Sequence, residues 1–327
     1  MALKGKVRAR SLGKAALDPD FFIEVYQPKI EHNGEDSYYY GLGSTVSVVG
    51  SFDGSGGSGS QRYENFQNKT GAYVGSRALS GAVRDWYTAG EAALAQDEAT
   101  ERLKERVTHY LHVCKEFCKS SSRMRGSMVK EFPTTCALIA YRKTEDDREA
   151  LSLWAGDSRC YLLDARGLHQ LSTDDNNVHD AMDNLTENGV MTNLVSASKK
   201  FAIHAHAVPI EGPCVLFTAT DGCFDYVHTP MEFEYLLLWT LAEAGSPVDW
   251  EDRMHHEMGA ITGDDMTLCG LSVGYGSFAG LKKALRPRLQ EVYEQYVRGE
   301  EEMDMNARRA LWDQYKGEYY ALAAHEA

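Results

Sequence analysis

The stretch Val49-Gly50-Ser51-Phe52-Asp53-Gly54-Ser55-Gly56-Gly57 decides how this chain is read. The run from Ser44 to Val49 is rich in β-branched residues and reads as a strand. It leads into a lone carboxylate, Asp53, and then into glycines that bend where other residues cannot. Taken alone, the stretch also spells G-x-G-x-x-G at Gly54, Gly56 and Gly59, and its Gly/Ser content suits a flexible linker. A dinucleotide-binding oxidoreductase would need an acid about 20 residues further on, and Ala72 to Ser80 contains none. The Gly-Lys-Ser/Thr of a P-loop is also missing. An acid at a strand-to-loop corner, placed for chemistry, is the reading that remains.

On the N-terminal side, Phe21 to Tyr26 and Ser37 to Phe52 are dominated by β-branched and aromatic residues, interrupted by Gly41-Leu42-Gly43. On the C-terminal side, Gly71 to Ala95 predicts one helix. A second follows, with Leu103, Val107, Leu111, Cys114 and Cys118 at helical spacing, and the two are expected to pair antiparallel over a sheet. Thr134 to Tyr141, Ala150 to Ala155 and Arg159 to Leu163 read as an antiparallel meander, with Gly156-Asp157-Ser158 as a tight turn. Residues 172–200 form a polar excursion with one short helix. Phe201 to Val208 and Val215 to Ala219 resume the sheet, which ends at Thr220-Asp221-Gly222. Two more helices, Met231 to Ala244 and Val248 to Ile261, precede a last strand, Met266 to Val273, opened by Gly263-Asp264-Asp265.

Separated runs of strands and helices predict an α+β fold: an antiparallel β-sandwich flanked by pairs of α-helices in α-β-β-α layers. The expected organisation is a basic N-terminal arm over 1–20 (Lys4, Lys6, Arg8, Arg10, Lys14), a sandwich domain over 21–275, and a C-terminal helical hairpin over 276–327. Two apolar stripes mark the hairpin. The first runs through Leu281, Leu285, Leu289 and Val292, the second through Ala310, Leu311, Tyr315, Tyr319 and Leu322. Packing on the main domain accounts for them, with partner binding or dimerisation as the alternative.

Composition narrows the function. At 327 residues and 43% hydrophobic content the chain can bury a substantial core, and a formal charge of −14 argues against a general nucleic-acid binder. Seven scattered cysteines read as reduced thiols of a cytoplasmic protein, and no apolar run is long enough to span a membrane. His204 and His206 share a strand face, but without a third ligand they do not make a metal site.

Asp53, Asp221 and Asp264 each stand at a strand end beside glycine, and Asp157 sits in a Gly-Asp-Ser turn. Each alone reads as a turn residue. Gathered at one rim of a sandwich, they could not all remain ionised without cations, and hard oxygen ligands select Mg2+ or Mn2+ over zinc.

Together, Phe52-Asp53-Gly54-Ser55-Gly56-Gly57, Gly156-Asp157-Ser158-Arg159, Ala219-Thr220-Asp221-Gly222-Cys223-Phe224-Asp225 and Gly263-Asp264-Asp265-Met266-Thr267 resemble, in order and spacing, the motifs of the metal-dependent Ser/Thr protein phosphatases of type 2C. Thr134-Thr135-Cys136-Ala137 is similar to that family's Gly-Thr-Thr-Ala strand, and Asn33-Gly34-Glu35-Asp36 to its Asn-Glu-Asp motif. The resemblance implies that Asp53 bridges two ions, Mn2+ or Mg2+, with the Gly54 carbonyl, Asp221 and Asp264 completing the ligands. It implies that Glu35 acts beside the first ion through water, with Asp36 and Asp265 around the site and Asp157 and Asp225 where the family can hold a third ion. The implied reaction is hydrolysis of phosphoserine or phosphothreonine in proteins by a water shared between the two ions, without a covalent intermediate. The implied partners are phosphorylated proteins, a Ser/Thr kinase or its targets, in signalling. Residues 172–200 would shape substrate choice.

Two departures keep an alternative open. Ser55 stands where many members carry a histidine that protonates the leaving alkoxide, and serine cannot do this near neutral pH. Glu31 stands where a phosphate-binding arginine is expected, with Lys29 nearby as a substitute point charge. The alternative is a pseudophosphatase, a module that binds a phosphoprotein with weak or no turnover.

Overall fold

The computed structural model describes residues 19–118, 131–144, 147–187 and 189–324. The basic residues of the expected N-terminal arm lie outside them. In chain order the elements are β1 (Pro19–Gln27), β2 (Ser37–Gly41), β3 (Val46–Phe52), β4 (Arg62–Tyr63), β5 (Lys69–Thr70), α1 (Gly71–Thr88) and α2 (Gln96–Phe117). Then come β6 (Cys136–Lys143), β7 (Arg148–Ala155), β8 (Arg159–Leu163), β9 (Leu168–Gln170), α3 (Ala181–Asn184), β10 (His204–Pro209) and β11 (Cys214–Ala219). The chain continues through α4 (Pro230–Glu243), α5 (Pro247–Ile261), β12 (Met266–Val273), α6 (Phe278–Val292) and α7 (Met305–Tyr319).

Two five-stranded sheets, ordered β1-β12-β11-β8-β9 and β10-β7-β6-β3-β2, stack face to face, and their strands pair antiparallel. Val49, Ile139, Leu162, Leu216 and Leu271 fill the space between them. The opposite face of β3, carrying Val48 and Phe52, packs beneath α1 and α2. Because each inner strand is covered on both faces, β3, β6 and β12 read as nearly continuous apolar runs rather than alternating ones.

That double burial explains one correction. β7 belongs to one sheet and β8 to the other, so Gly156-Asp157-Ser158 is a crossover between the layers and not the hairpin turn of a meander. Gly156 makes the change of direction at φ +100°, a backbone conformation that side chains disfavour. A strand buried on both faces carries no alternation to say which sheet it joins. Other boundaries moved less. The first helix stops at Thr88, where Gly90 turns left-handed, and Phe201–Ile203 precede the strand that begins at His204.

The C-terminal helices bury Leu281, Leu285, Val292, Trp312, Tyr315 and Tyr319 in the cluster that also holds Phe217 and Phe233. Trp312, fully buried, anchors the second stripe rather than Ala310, which is exposed. Arg288 of α6 donates to both carboxylate oxygens of Glu234 on α4, at 2.8 and 3.1 Å, and the Tyr315 hydroxyl donates to the same carboxylate.

Candidate active site

The acids converge through backbone clamps. At the end of β3, the Asp53 amide donates to the Thr135 hydroxyl (3.0 Å), while the Thr135 amide (2.8 Å) and the Thr134 hydroxyl (2.7 Å) donate to the Asp53 carbonyl. Thr134-Thr135 thus fixes the corner from the neighbouring chain segment. Past the corner the chain runs against the β1–β2 loop. A Cβ at Gly54 would lie 2.7 Å from the Glu35 carbonyl oxygen, and one at Gly56 would collide with the Glu35 carboxylate.

On the other sheet, the Thr220 hydroxyl accepts from the Thr267 amide (3.0 Å), which ties the end of β11 to β12. A Cβ at Gly222 would strike the Asp265 carbonyl, so only glycine lets Asp221 and the Asp264-Asp265 turn approach this closely. Asp265 accepts from the amides of Lys29 (2.6 Å) and Glu35 (2.5 Å), stapling the β1–β2 loop to the start of β12.

The resulting cleft, about 520 Å³, brings together Lys29, Glu35, Asp53, Gly54, Ser55, Asp221, Asp264 and Asp265. Asp36 does not line it. It lies beneath at 1% exposure, where its Oδ2 accepts from the hydroxyls of Thr220 (2.9 Å) and Thr267 (2.8 Å). Its other oxygen is buried with no hydrogen-bond partner among the described residues. Asp157 and Asp225 also stand off the cleft, close enough to Asp221 for their charges to act on one another.

Burial is the dominant electrostatic feature, and crowding of like charge adds to it. Burial, reinforced by the charges of Asp221, Asp36 and Asp157, pushes the Asp53 carboxyl well above its ordinary range. Burial and Asp265 push Asp36 up to about 8, against the pull of the two threonine hydroxyls. Asp221 rises to about 6 through burial and the charges of Asp264 and Asp265, and Arg159 opposes the rise. Asp225 rises to about 7 through burial and Asp221. Asp157 is likewise raised well above its ordinary range by burial and by Asp221, Asp174 and Asp225. Glu35 is raised chiefly by burial, and the Thr70 hydroxyl that donates to it pulls the other way.

Among the described residues no three carboxylate, imidazole or thiol groups converge closely enough to hold a metal ion by side chains alone. A cation here would therefore also draw on backbone carbonyl and water oxygens, which is ordinary for Mg2+. On that basis the donor set fits. It is all oxygen and strongly acidic, it has an orphaned buried carboxylate oxygen in Asp36, and a bare glycine cradle surrounds Asp53. His204, by contrast, stacks on Trp154 at 5.3 Å and lies 3.0 Å from the Asp175 carboxylate, away from the cleft.

Sequence reading missed one wall of the cleft. Arg62, Lys69, Thr70 and Tyr73 line it, supplied by the β4–β5 hairpin and the first turn of α1. Two-residue strands carry no periodicity, and the hairpin turns on Gln67 and Asn68, at φ +55° and +61°, where no glycine marks a bend. The available signal was Thr70, which caps α1 by accepting from the Tyr73 amide (3.2 Å).

No protein-family model matches the chain, and no curated protein matches it in sequence. Solved structures match its fold. A bacterial serine phosphatase superposes with a TM-score of 0.56 at 15% identity, over 77% of this chain and 97% of its own. The serine/threonine phosphatase Stp1 from Staphylococcus aureus gives 0.56 at 16%, over 81% and 98%. The catalytic domain of the serine/threonine protein phosphatase PstP, in complex with two manganese ions, gives 0.52 at 15%, over 78% and 98%. At these identities the likeness shows the fold: the chain has the layered α+β architecture of these phosphatases.

Proposed function

We propose that this protein is a metal-dependent protein phosphatase that hydrolyses phosphoserine and phosphothreonine. The observation that carries the reading is the meeting of Asp53, Asp221, Asp264 and Glu35 in one cleft, on a fold shared with Ser/Thr phosphatases. Asp53, the Gly54 carbonyl, Asp221 and Asp264 would hold two divalent cations, Mn2+ or Mg2+, and Asp157 and Asp225 a third. Bound cations would polarise the phosphoryl oxygens and activate a water between them.

The remaining steps fall to the chain. Thr134 and Thr135 hold Asp53 rigidly at its corner, and Asp265 fixes the loop that carries Glu35. Glu35, raised by burial, orients water at the cleft wall. The catalytic unit is residues 21–275, with 172–200 as its substrate-shaping excursion and 276–327 as a helical brace. All seven cysteines are free and five are buried, which fits a reducing compartment and supports a cytoplasmic location. No helix among the described residues is long and apolar enough to cross a membrane.

One observation favours slow turnover. The Ser55 hydroxyl lies 3.2 Å from that of Ser58, and among the described residues no histidine lines the cleft to protonate a leaving alkoxide. A pseudophosphatase that binds its phosphoprotein without efficient hydrolysis is the second reading. Release of phenolate from an aryl phosphate with Mn2+, with and without chelator, tests the first. Activity is expected with the metal only, and Asp53→Ala is expected to abolish it while leaving circular dichroism unchanged. Near-wild-type turnover in that variant would sink the assignment.

A further inference from the structure

We propose that Arg62, carried by the β4–β5 hairpin, is the side chain that binds the substrate's phosphoryl group at the mouth of the cleft. The inference rests on the phosphatase reading and supplies the recognition group that reading lacks. A phosphoryl dianion entering an acid-lined cleft needs a cation at the mouth as well as on the floor. The β1–β2 loop provides no guanidinium, because Glu31 points into solvent at 86% side-chain exposure beside His32.

Among the described residues three side-chain cations line the cleft, Lys29, Arg62 and Lys69. Lys29 sits on an acid, its Nζ 3.8 Å from Asp264. Lys69 fastens the hairpin to the opposite loop, its Nζ donating to the His32 carbonyl (2.5 Å) and the Asn33 side chain (2.7 Å). Arg62 is exposed, and its Nη1 donates to the Asn68 carbonyl at 2.9 Å, a bond that uses one of five N–H donors. The planar fork matches two phosphoryl oxygens at once, which an ammonium cannot do.

The hairpin holds this side chain in place. Tyr63, beside Arg62, is 5% exposed and packs on Phe132 with ring centroids 5.0 Å apart. Arg62 pairs across the hairpin with Thr70, whose hydroxyl contacts Glu35, and the Gly71 amide donates to the Gln61 carbonyl at 2.7 Å. Arg62 lines the same cleft as Glu35, Asp53 and Asp221.

The test is binding, by fluorescence polarisation, of a labelled peptide carrying the phosphonate isostere of phosphoserine to the full chain with Mn2+, against the same peptide with plain serine. Arg62→Ala is expected to weaken the phosphonate peptide by about tenfold, the scale of a lost charge-assisted hydrogen bond, and Arg62→Lys by less. The plain peptide should be unaffected, and both variants should melt with the wild type. Phosphonate affinity in Arg62→Ala within about twofold of wild type overturns the inference, as does an equal loss for both peptides. If the wild type releases no phenolate yet shows Arg62-dependent phosphonate binding, hydrolysis is refuted and the role of Arg62 stands.

Discussion

Replacing Asp221 by asparagine should stabilise the metal-free protein and destroy its response to metal. In the folded chain the Asp221 carboxyl is raised from an ordinary 3.8 to about 6, by burial first and by Asp264 and Asp265 next. A carboxyl raised on folding binds more protons in the folded state between those two values. Its contribution to stability therefore declines as pH climbs through that window, and the full penalty is present at pH 7.5. At about 1.4 kcal/mol per pH unit the penalty is about 3 kcal/mol, an upper bound because Asp221 is partly open to water, which screens its charge. The amide carries its own burial cost, so roughly half should be recovered, which for a chain of this size is about 2–4 °C in Tm. The assay is thermal melting at pH 7.5 in chelator and in saturating Mn2+. In chelator Asp221→Asn should melt above the wild type. In Mn2+ the order should reverse, because an ion present at a hundredfold its Kd adds about 2.7 kcal/mol to a protein that binds it. A variant that melts lower in chelator, or an equal gain from Mn2+ in both proteins, would refute the reasoning.

Two further outcomes follow from the same structure. Ser55→His should raise the rate on a phosphoserine peptide more than on an aryl phosphate, since a phenolate leaves without help and an alkoxide does not; equal effects would count against a missing proton donor. Glu234→Ala should lower stability by about 3 kcal/mol in urea titration, because it strands the Tyr315 hydroxyl and removes the bidentate partner of the buried Arg288 guanidinium, which then keeps only the more exposed Glu291 and Glu318; an unchanged midpoint would mean that the pairing is not formed.

What the sequence carries, and what it withholds, follows from how local each signal is. Asp53 was legible because a β-branched run ending in Asp-Gly is a strand, a corner and an acid within a few residues. The three elements that deliver Asp53, Asp221 and Asp264 to one cleft were legible as elements. Their adjacency followed from the family resemblance and not from the strand pattern, since β3 and the β11–β12 pair lie in different sheets and strands buried on both faces read alike. The Thr134-Thr135 clamp drew notice through resemblance alone; two threonines before an apolar strand look like any strand entry. Asp265 looked like a ligand neighbour because nothing in Gly-Asp-Asp tells which acid turns inward. The structure uses it to hold the amides of Lys29 and Glu35. Trp312 stands at i, i+3 and i+7 with Tyr315 and Tyr319, so the spacing carried it, and reading the stripe from Ala310 and Leu311 passed over it.

The cost of gathering these acids is the most telling property of the site. A fold that needed only a closed rim could have placed asparagine or serine where Asp36, Asp53 and Asp221 stand, at lower cost, since each acid pays for burial and for its neighbours' charge. The nearby cationic side chains relieve them only in part: Arg159 opposes the rise of Asp221, but its guanidinium is committed elsewhere. Arg159 forms a bidentate pair with Asp174, and Arg77 donates to the carbonyls of Gly34 and Glu35 while lying 3.7 Å over the Tyr73 ring. Neutralisation is thus left to something that enters with solvent, a small divalent ion on the proposed reading. Metal affinity and metal-free instability then share one origin, so a substitution that improves the second must degrade the first. That coupling separates a cation site from an acidic cleft used only for solubility, where removing a charge would change little and Mn2+ would change nothing.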